Sequence, residues 1–219
     1  MAASLFLFRR RDMVDEKNNR RTDDFDHRLI KEFKKGSTDA MTKIVERYEE
    51  SLYNFGLRMC GHVQDAEDIM QDTFMGALKG LHTFREETKL KNWLFRIAAH
   101  ACKRKRRKKK CEPDREISLE SLMPMDESNG HYEIPDWSND PSDAALRAEL
   151  KSVINTCMVQ LPPKYRIVFN LRDLEGFNTE ETADIIGITP QSVKTRLHRA
   201  RLFLRKGISA HFEGGQPDA

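Results

Sequence analysis

Apolar residues recur at helical spacing along most of the chain and nowhere alternate in the manner of a strand. Phe25, Leu29, Ile30 and Phe33 form the first such set, which Gly36 ends. Ser37 or Thr38 can cap a second helix, in which Ile44, Val45, Tyr48, Leu52, Phe55 and Met59 return every three or four residues up to Gly61. A third helix is predicted from about Asp65 to Leu81, with Ala66, Met70, Phe74, Ala77, Leu78 and Leu81 as its buried stripe. That stripe turns Asp65, Asp68 and Asp72 together to the opposite face, flanked by Glu67 and Gln71. A fourth helix, from about Lys91 to Lys105, buries Leu94, Ile97, Ala98 and Ala101 and groups Trp93, Arg96, His100 and Lys103 on one flank.

The periodicity then lapses. Between Glu112 and Pro141 the chain holds Pro113, Pro124, Pro135 and Pro141 among many acidic residues, the composition of a linker. Ser142 caps the next helix, whose stripe Leu146, Leu150, Val153, Ile154, Cys157 and Leu161 ends at Pro162 and Pro163. A short helix from Lys164 to Glu175 closes at Gly176. Asn178 and Glu181 form a capping box, Gly187 stops the helix they open, and Thr189-Pro190 starts another. Ala183, Gly187 and Val193 are the small residue, turn glycine and buried aliphatic that allow two helices to cross as a helix-turn-helix. The expected fold is all-α: a helical bundle over residues 25–111 and a helix-turn-helix domain over 142–208, joined by a flexible acidic linker over 112–141. Tails at 1–24 and 209–219 complete the chain, the first with the composition of a disordered segment and with Met13 as a second candidate start.

Composition narrows the function. Of 219 residues 33% are charged and only 38% hydrophobic, which suits two small helical modules better than one large enzyme core. The net charge of +3 hides a strong segregation: from Glu112 to Asp143 Arg115 is the only cation among many carboxylates, whereas Lys103 to Lys110 are all basic. Cys60, Cys102, Cys111 and Cys157 make no C-x-x-C pair, so neither zinc ligation nor a disulfide framework is expected. The apolar run Leu5 to Phe8 is too short for a signal peptide or a membrane span, and the chain reads as cytoplasmic. No phosphate-binding glycine loop, H-E-x-x-H or G-x-S-x-G occurs, so neither an enzyme nor a cofactor is expected.

Three surfaces carry chemistry. From Pro190 to Lys206 basic residues occur without an acidic one, and Val193, Leu197, Ala200 and Leu204 turn inward. This leaves Gln191, Lys194, Thr195, His198 and Arg199 to reach a major groove, with Arg196, Arg201 and Arg205 placed for phosphates. Around the fourth helix, Phe84, Trp93 and Phe95 lie beside Arg96, His100 and Lys103, a combination that suits stacking of unpaired bases over a cationic groove. By themselves, Trp93 and Phe95 more often belong to the boundary of a core. The third surface, Asp65, Asp68 and Asp72, is a poor metal site because it lacks His or Cys support, and by itself it reads as a solvated face.

These segments together resemble the extracytoplasmic-function sigma factors, promoter-recognition subunits of bacterial RNA polymerase. DAEDIMQDTF (Asp65 to Phe74) resembles the family's region 2.2, NWLFRIAAHACKRKRR (Asn92 to Arg107) its regions 2.3 and 2.4, and LPPKYRIVFNLRDLEGFNTEETADIIGITPQSVKTRLHRAR (Leu161 to Arg201) its region 4. The resemblance implies that Asp65, Asp68, Gln71 and Asp72 meet the β′ coiled coil of core RNA polymerase. It implies that Phe84, Trp93, Phe95, Arg96 and His100, with Lys103 beside them, open and read the minus-10 element of promoter DNA, and that Lys194, Thr195, His198 and Arg199 read the minus-35 element. An anti-sigma factor is a further partner such a chain can have. His100 and Phe95 stand where the family often has Asn and Tyr. Two other readings of the residues are a one-component helix-turn-helix regulator that binds duplex DNA as a dimer, and a single-strand RNA-binding protein that uses the basic run. The first lacks a ligand or dimerisation module, and the second leaves the helix-turn-helix unexplained.

Overall fold

The structure, a computed structural model, describes residues 23–109 and 153–213. The described residues form eight α-helices and no strand: α1 (23–34), α2 (Thr38–Cys60), α3 (Val63–Gly80), α4 (Leu90–Lys109), α5 (described over 153–160), α6 (Pro163–Phe169), α7 (Thr179–Ile186) and α8 (Pro190–Glu213). The protein is therefore all-α, as its periodicity predicts. The N-terminal segment before residue 23, the acidic linker and the helix start at Ser142 lie outside the described residues. Helix α8 runs to Glu213, past the boundary expected at 208. Among the described residues no helix is long and apolar enough to cross a membrane.

In the first domain α2 is the central element. Ala40, Ile44, Tyr48, Leu52, Phe55 and Met59 are buried along one side of it, toward α1, α3 and α4. A side-chain carbon at Gly56 would lie 3.0 Å from the Ala66 Cα and 3.2 Å from its carbonyl oxygen, so α2 and α3 cross almost backbone to backbone. Ser37 occupies the N-cap of α2 but its side chain makes no capping bond there. Asp26 is buried from α1 and accepts a hydrogen bond from the Tyr48 hydroxyl. Burial raises the Asp26 pKa, and burial beside Asp26 raises that of Tyr48.

The buried face of helix α3 is wider than the expected stripe. Ala66, Ala77 and Leu81 are buried and Met70 and Phe74 pack against the core as expected, but Leu78 is exposed and Asp65, Ile69 and Thr73 are buried as well. The reason is local. Thr73 satisfies its own hydroxyl by donating to the Ile69 carbonyl at 2.6 Å, so a residue that scores as polar fits in the core.

The second domain encloses a smaller core. Val153, Cys157 and Met158 meet Leu204; Leu161 and Tyr165 meet Ala200; and Val168, Ala183, Val193 and Leu197 form the heart of the helix-turn-helix. The helix expected from Lys164 to Glu175 is present: α6 runs without a break into one wider helical turn, Asn170–Leu174, just before Gly176. The capping box of α7 forms as expected: Glu181 N–H donates to Asn178 Oδ1 at 2.8 Å and Asn178 N–H to Glu181 Oε2 at 2.9 Å. Gly187 ends that helix at φ +72°.

The two cores join. Leu171, Phe177 and Ile185 of the second domain are buried in the same apolar cluster as Phe55, Leu94 and Phe95 of the first. A Gly56→Val substitution should drive branched methyls into the α3 backbone and lower stability by about 1–3 kcal/mol, read as a fall in thermal midpoint.

Candidate nucleic-acid interface

The outward face of α8 follows from what it buries. With Val193, Leu197, Ala200 and Leu204 inside, Gln191, Lys194, Thr195 and His198 are exposed, while Arg196 and Arg199 are half-buried. Thr189 opens the helix by accepting the Ser192 N–H at 3.2 Å. Arg201 forms a two-pronged bond to Asp173, at 2.8 and 2.7 Å, which fixes α8 to the turn after α6. The sequence places Arg201 among the phosphate contacts, but part of its guanidinium is already committed within the domain.

On α4 the expected flank is present. Trp93 and Arg96 are half-buried, and His100 and Lys103 are exposed. The Trp93 ring lies 4.8 Å from that of Phe84, on the loop that precedes α4. Gly80 makes room for it, since a side-chain carbon there would come within 2.9 Å of Trp93 Cζ2. Phe84 and Phe95 differ from expectation. Phe84 is 9% exposed and Phe95 fully buried, the latter held edge-on between Phe55 at 5.3 Å and Phe177 at 5.0 Å. Phe95 follows Leu94 on the side of α4 that meets both α2 and the second domain, so its ring is a core ring in this arrangement.

The acidic surface of α3 divides. Asp68 is half-buried, and Gln71 and Asp72 are exposed, but Asp65 is buried, because it stands one turn before Ile69 on the inner row. The basic end of α4 reaches across to these carboxylates. Lys105 bridges Asp65, at 3.1 Å, and Asp68, and Arg104 meets Asp72 at 3.3 Å. The bond from Lys105 lowers the Asp68 pKa below the usual carboxylate value.

Sequence reasoning missed the seam between the domains. Arg166 is 2% exposed and donates to the carbonyls of Met59 (2.7 Å), Leu161 (3.0 Å) and Val159. Arg58 binds the Glu175 carboxylate at 3.0 Å, and the Lys91 ammonium donates to the Glu175 carbonyl at 2.7 Å. These residues come from five elements scattered along the chain, so no local pattern joins them. Beside the seam lies a cleft of about 640 Å³ with a basic rim that includes His100, Lys103 and Arg106 of α4, Lys164 of α6 and Arg196 of α8.

Comparison with known proteins agrees with this geometry. Residues 44–111 match the family model for sigma-70 region 2, and residues 152–204 that for sigma-70 region 4. The ECF RNA polymerase sigma factor SigW of Bacillus subtilis (strain 168) is 36% identical over 179 residues, 82% of this chain and 94% of the relative. The RNA polymerase sigma-H factor of Pseudomonas aeruginosa is 27% identical over 192 residues, 85% of this chain and 95% of the relative. In fold, the chain resembles CnrH, solved in complex with the cytosolic domain of CnrY: the TM-score is 0.57 at 22% identity, covering 88% of this chain and 99% of that one. It also resembles the sigma factor RpoE of Bartonella quintana, solved with the anti-sigma factor NepR: the TM-score is 0.53 at 22% identity, covering 77% and 96%. With region 2 carried by α2 to α4, region 4 by α5 to α8, and a relative this similar along nearly its whole length, the chain belongs to the ECF sigma factors of the sigma-70 family, the subunits that direct RNA polymerase to promoters.

Proposed function

We propose a division of that task among the three surfaces. The carrying observation is the flank of α4, where a ring and three cationic or protonatable groups line one open edge: Trp93, Arg96, His100 and Lys103. Unpaired bases stack on rings while cations follow the backbone. This flank therefore opens and reads the minus-10 element, with Phe84 supporting Trp93 from below and, while the two domains are packed together, Phe95 supporting the helix from within. Lys194, Thr195, His198 and Arg199 read the minus-35 element in the major groove; Gln191 assists them, and Arg196 and Arg201 contact phosphates. Asp68, Gln71 and Asp72 meet core polymerase, and Asp65 acts indirectly by anchoring Lys105. The domain limits 25–111 and 142–208 are part of the same reading.

The basic-rimmed cleft is the place for a protein regulator. RpoE was solved with an anti-sigma factor, and CnrH with the cytosolic domain of CnrY. An acidic, partly apolar segment of an anti-sigma factor suits the cleft's cations.

Transcription reconstituted from purified core polymerase and a library of randomised promoters tests the whole reading, since it reports activity and sequence preference together. Three variants dissect it. Reversing charge at both Asp68 and Asp72 should weaken competition for core polymerase by about tenfold or more with the helical signal in circular dichroism retained; unchanged competition would remove these residues from the docking surface.

Lys194→Ala and Arg199→Ala should each relax selection at individual minus-35 bases, at about 1–3 kcal/mol for a bidentate contact, while Arg205→Ala weakens all sequences alike. Equal losses at every position for all three would refute the assignment of the α8 face.

Trp93→Ala should impair transcription from duplex promoters and recover on a template melted in advance. Gly80→Ala should show the same pattern, because the added methyl displaces the Trp93 ring. A fall in thermal midpoint without rescue would instead place Trp93 among purely structural residues.

A further inference from the structure

The seam between the domains is built around one turn, Glu175-Gly176-Phe177. The turn is stiff. Glu175 N–H donates to the Asn170 carbonyl at 2.9 Å, Phe177 N–H to the Leu171 carbonyl at 3.0 Å, and Arg172 to the Phe177 carbonyl, while Gly176 takes a φ of +76° that most residues avoid. It presents an acid and a ring to the first domain, where a matching slot receives both. Arg58 of α2 holds the carboxylate at 3.0 Å. The Phe177 ring, 3% exposed, meets Phe95 edge-on at 5.0 Å, and the Lys91 ammonium stands 4.7 Å over it.

An anion held by a guanidinium and a flat ring held between an aromatic edge and a cation are the two contacts that a nucleotide of a single strand makes with protein, one through its phosphate and the other through its base. We propose that this slot of Arg58, Lys91 and Phe95 is a binding site for a nucleotide of unpaired DNA, and that Glu175 and Phe177 fill it as an internal mimic. Domain closure and single-strand capture then exclude one another. The inference rests on the proposed role of α4 in promoter melting, to which it adds a site that begins on α2 and lies at the opposite end of α4 from its basic run.

The seam is suited to reversible closure. Burial shifts Glu175 upward and Lys91 downward, so both groups resist holding their charges in the closed form. Among the described residues Arg166 binds the carbonyls of Met59, Leu161 and Val159, and Leu161 and Val159 lie in its own domain, so Arg166 keeps acceptors when the domains part.

The test uses the full chain and a fluorescent mixed-sequence single-stranded DNA of about a dozen nucleotides. Glu175→Gln combined with Phe177→Ser should raise the radius of gyration in X-ray scattering and tighten binding of the strand by about tenfold, the scale of one exposed stacking and phosphate contact. Adding Arg58→Gln to that double variant should return the affinity to that of the parent. Arg166→Ala opens the same seam by a second route and should also tighten binding. An unchanged radius in both opened variants, an increased radius without tighter binding, or a gain that survives Arg58→Gln would each overturn the proposal. Promoter opening by Trp93→Ala on duplex and melted templates is measured apart from these variants, so the α4 reading and the slot can fail separately.

Discussion

A guanidinium withdrawn from water must find acceptors, and in this protein the need is met at the ends of two helices. Arg166 donates to Met59 in the last turn of α2 and to Val159 in the last turn of α5, where carbonyls have no partner within their own helix and the helix dipole favours a cation. It also closes onto Leu161, so α5, the Pro162-Pro163 bend and α6 are fixed relative to one another. The first-domain core can then continue into Leu171, Phe177 and Ile185 without leaving an unsatisfied charge beneath it. Substituting Lys would supply charge but not a planar fork able to serve three carbonyls.

Helix α4 shows how closely the tasks are packed. One side is core, its exposed flank carries the ring and cations proposed to face DNA, its N-terminal end holds the seam through Lys91, and its C-terminal end holds α3 through Arg104 and Lys105. Few residues on it are uncommitted. Changes along α4 will therefore seldom affect one property alone, which is why a melted template and a thermal midpoint are both needed to interpret them.

Much of this was legible in the sequence where the physics is local. The capping box at Asn178, the stop at Gly187 and the inward row Val193, Leu197, Ala200 and Leu204 all depend on residues within a few turns of one another, and each is found as expected. The burial of Thr73 and Asp65 on α3 was not legible, because Thr73 hides a polar group inside its own helix and Asp65 is buried against a lysine forty residues away. The cover over Phe95 was not legible either. The sequence leaves its ring between an exposed flank and the boundary of a core, and the ring that decides for the core, Phe177, comes from the other domain. The seam needed three dimensions altogether: Arg58, Lys91 and Glu175 carry no shared motif, and their pairing depends on how two domains meet.

The bridge from Lys105 to Asp65 and Asp68 has a thermodynamic consequence. A ligand that takes the half-buried Asp68 carboxylate removes one of two anions from Lys105, whose ammonium lies just beyond Lys103 on the helix proposed to face DNA. The positive potential along α4 rises when that happens. Linkage requires the converse as well, since a phosphate that draws Lys105 away leaves Asp68 more available to an outside cation. Within the proposed division of surfaces, polymerase docking at Asp68 and DNA affinity along α4 are coupled through which partner holds Lys105.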